Sequence, residues 1–146
     1  MAPQVNPAAS PSSLPPAGRF VVLRHEMPEG SPRPTHWDFM LEAGPVLRTW
    51  ALAAEPLPGG PIAAEALFDH RREYLTFAGA IAGGRGTVAR WDAGVFERQQ
   101  DDQKQIVVSL AGGRLRGTAT LSVQGETPAE SGGVQRWRFS FVADPL

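Results

Sequence analysis

The sequence predicts an all-β fold, a small closed or nearly closed antiparallel β-barrel of about eight strands preceded by a disordered N-terminal arm. Three observations carry this expectation. Short runs of strand-forming residues recur at near-regular spacing between Gly and Pro breaks, and no segment shows the apolar periodicity of a helix of normal length. In Arg136–Val142, Trp137, Phe139 and Phe141 fall on one face and Arg136, Arg138 and Ser140 on the other, as in a strand with one buried side. A barrel is preferred to a sandwich because closure removes exposed strand edges.

The elements follow in order. Residues 1–18 are rich in Pro, Ala and Ser without periodicity and read as a disordered arm, so the folded domain is expected to span residues 19–146 with order beginning near Arg19. The predicted strands are Phe20–His25, His36–Glu42, Val46–Ala53, Ala63–Phe68, Thr87–Trp91, Ile106–Leu110, Leu115–Val123 and Arg136–Val142. Glu26–Thr35, with three prolines, and Ala78–Gly86, with four glycines, are loops. The glycines do not make a phosphate loop, because Gly86-Thr87-Val88 leads into a strand rather than opening a helix after Gly-Lys-Ser/Thr. The polar stretch Glu97–Gln105 is expected to be a solvated hairpin tip, and Gln124–Gly133 a similar one. Trp50, Trp91 and Trp137 sit within strand runs and are assigned to the core rather than to a base-stacking surface.

Composition narrows the chemistry. The 146 residues are 42% hydrophobic with no uninterrupted apolar run long enough to span a bilayer, and Met1-Ala2-Pro3-Gln4 does not read as a signal peptide, so a cytoplasmic monomer with no membrane association is expected. With no cysteine, a metal would have to be held by imidazole and carboxylate groups. A formal net charge of -1 supplies no global attraction to nucleic acid; phosphate binding would need a local patch.

The three histidines are the informative residues: His25, His36 of His36-Trp37-Asp38, and His70. Alternate side chains of a strand share a face, so His36, Asp38, Met40 and Glu42 lie together while Trp37 and Phe39 pack behind them; His25 shares a face with Val21 and Leu23. If the first two strands pair across the Glu26–Thr35 loop, His25, His36 and Asp38 converge on one point inside the closed sheet. Two nitrogens and one oxygen suit manganese, zinc or iron.

Arg24-His25, His36-Trp37-Asp38-Phe39-Met40-Leu41-Glu42, Trp50-Ala51-Leu52, Asp69-His70-Arg71-Arg72-Glu73-Tyr74 and Gly86-Thr87-Val88-Ala89-Arg90-Trp91-Asp92-Ala93-Gly94 resemble, in order and spacing, the 3′-phosphoesterase domain of bacterial DNA ligase D. The resemblance is close from about Phe20 to Phe96. It implies a metal-dependent enzyme on a compact β-barrel that uses Mn2+, or another divalent ion such as Zn2+ or Co2+. Its substrates would be DNA 3′ ends in end-joining repair, stripped of a terminal ribonucleoside and then of the 3′-phosphate, with an end-joining ligase or polymerase as partner. By position, His25, His36 and Asp38 would be the metal ligands, and His70 and Tyr74 would contact the scissile phosphate. Trp37 stands where the family usually has Tyr.

Three family cations are replaced: Met40 stands two residues after Asp38 where an Arg is expected, Ala54 near a usual Lys, and Ile62 in place of an Arg eight residues before His70. The Pro/Ala/Ser arm also lacks the family's charged residues. Charge-assisted phosphate contacts contribute roughly 1.5–3 kcal/mol each, so weakened or lost activity is the expected consequence. Arg33, in the loop between the first two histidines, is a candidate replacement. Two other classes use the same residues differently. A non-haem iron oxygenase would take His36, Asp38 and His70 as its ligands and leave His25 a bystander. A non-catalytic module would keep the barrel and bind DNA ends or a repair protein without turnover. Tyr74 would then simply close the barrel at its rim.

Overall fold

The computed structural model describes residues 13–102, 104–126 and 135–145. Nine strands form one antiparallel sheet: β1 (Ala17–Glu26), β2 (His36–Ala43), β3 (Val46–Leu52), β4 (Ile62–Arg71), β5 (Gly79–Ala80), β6 (Thr87–Asp101), β7 (Gln105–Gly112), β8 (Arg116–Glu126) and β9 (Gln135–Ala143). Their order is β1-β2-β3-β4-β9-β8-β7-β6-β5, and pairing of β1 with β6 closes eight of them into a barrel to which the two-residue β5 is appended. A single 3-10 turn, Arg72–Leu75, follows β4, and the described residues contain no α-helix. The predicted all-β barrel is therefore the observed fold, and no helix among the described residues is long and apolar enough to cross a membrane.

Two hydrophobic clusters lie on opposite sides of the barrel wall. The larger, with Phe20, Val22, Phe39, Leu41, Trp50, Trp91, Phe96, Leu121, Trp137, Phe139 and Phe141, draws on strands all round the barrel and fills its interior. Phe39 anchors edge-on ring contacts there, 5.3 Å from Phe139, and Trp50 lies 5.6 Å from Trp137. The second contains Val21, Leu23, Met40, Leu47, Leu75 and Val88, the other faces of β1, β2, β3 and β6, with Tyr74, Ile81 and Ala93 packed against it. It lies on the outer wall, under a cover made by the 3-10 turn and the segment that leads to β6.

Two boundaries differ from expectation. Order does not wait for Arg19: Leu14 is 1% exposed and joins the interior cluster, and β1 opens at Ala17. The Asp101 carboxylate accepts from the Leu14 N–H, and Arg98 holds the Leu14 carbonyl, so anchoring by residues distant in the chain overrides the Pro-rich composition. Residues 1–12 of the predicted arm lie outside the described residues. Glu97–Gln105 is not a hairpin tip as a whole; Glu97–Asp101 continues β6, pairing with β7, because its polar side chains belong to an exposed strand face. Of the second predicted tip, Gln124–Glu126 belongs to β8 and residues 127–133 lie outside the described residues.

Candidate metal centre on the outer wall

His25 and His36 are directly opposed in the β1–β2 register, with Leu23 opposite Asp38 and Val21 opposite Met40. The strand parity read from the sequence thus places His25, His36 and Asp38 on one face, and their ligating atoms lie within 4.8 Å of one another. That face is the outside of the barrel, not its interior. Both faces of β1 and β2 are apolar, and the inner one is taken by Phe20, Val22, Phe39 and Leu41.

Hydrogen bonds set the tautomers. His36 donates Nδ1–H to the Pro34 carbonyl at 3.0 Å, and His25 donates Nε2–H to the Arg85 carbonyl at 2.7 Å. The remaining ring nitrogens, Nε2 of His36 and Nδ1 of His25, face the two oxygens of Asp38 at 3.2 and 3.1 Å. In the neutral rings these nitrogens carry lone pairs, so lone pairs on nitrogen confront lone pairs on oxygen unless a cation stands between them. Asp38 is 3% exposed, and its Oδ1 is buried with no hydrogen-bond partner despite its closeness to His36. An orphaned carboxylate oxygen is costly to bury, and a divalent ion among these donors would satisfy it. The donor set therefore fits a metal. Without one, protons play the same part. Burial raises the Asp38 pKa, but the hydrogen bond from His25 and the close approach of the His36 ring prevail and hold it at about 2. The Asp38 hydrogen bond in turn raises His25 above its ordinary value, against the opposing effect of burial.

His70 and Tyr74 belong to the same cavity, a small one of about 70 Å³ lined by Leu23, His25, Asp38, Met40, His70, Tyr74, Ile81, Arg85 and Val88. His70 gets there through a bulge. Thr49 pairs with Leu67 and Leu47 with His70, so Phe68 and Asp69 together oppose Arg48. Strict alternation from the inward Ala64 and Ala66 would point His70 into the barrel; the additional residue turns it outward beside Leu47. Tyr74 is carried by the 3-10 turn, which Arg72 ties to Glu42 and to the Gly44 carbonyl (2.8 Å), while Arg90 holds the Leu75 carbonyl (3.1 Å). Tyr74 thus packs on the outer cluster rather than at the barrel rim.

The oxygenase ligand set is not the one assembled: His25 is in the cluster and His70 is outside it, its Nδ1–H engaged by the Phe68 carbonyl at 2.9 Å. Met40, 1% exposed, forms part of the cavity floor where the family's Arg is expected. Ala54 is exposed in a loop and Ile62 packs toward the interior; neither lines the cavity. Arg33 is 3.3 Å from Glu65 and lines a neighbouring groove of about 520 Å³ that begins at His36, so a carboxylate already engages it.

Arg85 is the residue that sequence reasoning missed. Its carbonyl orients His25, the residue lines the cavity, and its Nε donates to the Ala82 carbonyl at 2.8 Å. Gly86 makes this approach possible: it sits at φ +89°, and a Cβ there would overlap the Glu26 carbonyl oxygen. No motif marks an arginine in a glycine-rich loop; only the fold brings it to the histidines.

The sequence profile of the DNA ligase D 3′-phosphoesterase domain matches residues 24–123. The multifunctional non-homologous end joining DNA repair protein LigD of Mycobacterium tuberculosis H37Rv is 33% identical over 127 residues, covering 79% of this chain, and the corresponding LigD protein of Mycobacterium bovis matches to the same extent. The chain spans 16% of the length of these relatives. With the matched region running through β1, β2 and the site-bearing β4, the chain belongs to the DNA ligase D 3′-phosphoesterase domain family.

Proposed function

We propose that this domain is a metal-dependent 3′-end-processing phosphoesterase of DNA repair, acting on DNA ends that carry a 3′-phosphate or a terminal ribonucleoside. The observation that carries this reading is the buried Asp38 carboxylate between two histidines whose tautomers are fixed by backbone carbonyls, in one cavity with His70, Tyr74 and Arg85. His25 Nδ1, His36 Nε2 and Asp38 would hold Mn2+, Zn2+ or Co2+. When bound, such an ion neutralises charge on phosphoryl oxygens and activates water.

The chain's own residues do the rest. His70 is oriented by the Phe68 carbonyl, which leaves its Nε2 to carry a proton toward a phosphate oxygen. Tyr74 supplies a hydroxyl on the same side. Arg85 lines the cavity, whose floor, Met40, contributes no charge, and its guanidinium would take the place of part of the missing cationic set. A repair ligase or polymerase would use the resulting 3′-hydroxyl.

The test is a manganese-dependent assay on a 3′-phosphate primer-template. Release of phosphate that is lost in the His25→Ala protein is the expected result. Metal binding and DNA-end binding without turnover at high protein concentration would replace the enzyme by a non-catalytic end-binding module.

A further inference from the structure

We propose that the free face of Phe68 is a stacking subsite for the nucleobase at the 3′ terminus whose phosphate enters the His25–His36–Asp38 cavity. The proposal rests on the phosphoesterase reading and names how the site engages the nucleoside beside the phosphate. Among the described large hydrophobic side chains Phe68 is the most exposed, at 81%. The bulge that turns His70 outward is what sets Phe68 outside both hydrophobic clusters.

Phe68 is nonetheless not left loose. Its ring lies parallel to that of His70, 5.1 Å away at 13°, and its own carbonyl accepts the His70 Nδ1–H. His70 in turn meets Tyr74 edge-on at 5.6 Å. One face of the phenyl ring is therefore backed by a supported imidazole, and the other faces solvent. A ring held flat beside a phosphate-directed histidine, with its outer face free, is the geometry on which a base stacks.

Charge also favours this occupant. The family cations at Met40, Ala54 and Ile62 are absent and the net charge of -1 provides no attraction, so the hold on a nucleic-acid end must come largely from contacts other than phosphate. Stacking supplies it without reading sequence, since every base has a π-face. The expected substrate is thus an end with any terminal base, in DNA or carrying a terminal ribonucleoside, but not an abasic one.

The experiment titrates the manganese-loaded protein into primer-templates with a 3′-phosphorylated terminal 2-aminopurine, following fluorescence and anisotropy, beside the same ends with an abasic terminus. Wild-type protein should quench the 2-aminopurine. Phe68→Ala should abolish the quench and weaken binding roughly five- to hundred-fold, Phe68→Trp should retain both, and the abasic end should bind wild type as weakly as the normal end binds Phe68→Ala. Unchanged far-UV dichroism and manganese affinity would show that Phe68→Ala is folded with its metal centre intact. Equal quenching by wild type and Phe68→Ala overturns the subsite and leaves the phosphoesterase reading standing. Failure of wild-type protein to bind any 3′-phosphate end overturns both. Capture of a protein through Phe68 with no effect on DNA ends also overturns the subsite.

Discussion

Two buried aspartates in this barrel have opposite surroundings. Asp92, on β6, is 6% exposed and accepts from three backbone N–H groups of the β7–β8 turn: Gly113 at 2.8 Å, Arg114 at 3.1 Å and Leu115 at 2.8 Å. Asp38, on β2, is as deeply buried but faces only histidines, and one of its oxygens lacks a hydrogen-bond partner. The first carboxylate is satisfied by the fold and ties a turn to the barrel wall. The second is left short of donors by the same fold, and that shortfall separates a structural acid from a candidate ligand.

Four perturbations sharpen the contrast, from the largest effect to the smallest. Asp38→Ala should reduce manganese affinity on the order of a thousandfold or more, measured calorimetrically, with little loss of metal-free thermal stability above the folded-state titration of His25, where the bond to His25 no longer contributes and the orphaned oxygen goes with the side chain. Asp92→Ala should do the reverse, costing about 2–4 kcal/mol in urea unfolding while leaving manganese affinity intact, since three backbone N–H groups, that of buried Leu115 among them, lose their acceptor. If both variants lost stability equally, the distinction between the two acids would fail.

Gly86→Ala should cost about 1–3 kcal/mol and weaken metal binding at the same time, because the strained loop would withdraw the Arg85 carbonyl from His25. A stability change with unaltered metal affinity would show that this carbonyl does not matter to the site. The pH dependence is the mildest of the four. His25, raised above 6.5 chiefly by its bond to Asp38, stabilises the metal-free protein fully below pH 6.5, and this contribution is lost as pH rises through the folded-state value. Metal affinity should run the other way, falling up to about tenfold per pH unit on the acid side as protons occupy Nδ1. Thermal melts with and without manganese between pH 5.5 and pH 8.5, roughly spanning the titration of histidine, should therefore show opposite slopes.

Much of this was legible in the sequence because it depends on strand parity. Alternation in β9 gave its buried aromatic face, and the spacing of His36 and Asp38, with His25 on the preceding strand, gave the cluster of two imidazoles and a carboxylate. The side of the wall was not legible, since Val21 and Val22, or Met40 and Leu41, are equally apolar and both faces of β1 and β2 are covered. Nor were features that depend on distant contacts. Leu14 is held by Asp101 and Arg98 from far along the chain, β6 runs on through polar residues because its partner β7 continues beside it, and Arg85 reaches the histidines only through the fold.

The additional residue in β4 acts as a reading-frame shift for side chains. Removing Asp69 would erase the bulge and restore plain alternation, so that His70 keeps its place opposite Leu47 on the outer wall while Phe68 turns inward opposite Arg48. A single-residue deletion there should therefore spare the histidine and remove the exposed phenyl ring beside it. Relatives of this domain are accordingly best aligned by sheet register across β3 and β4, because counting positions between motifs confuses inward with outward histidines.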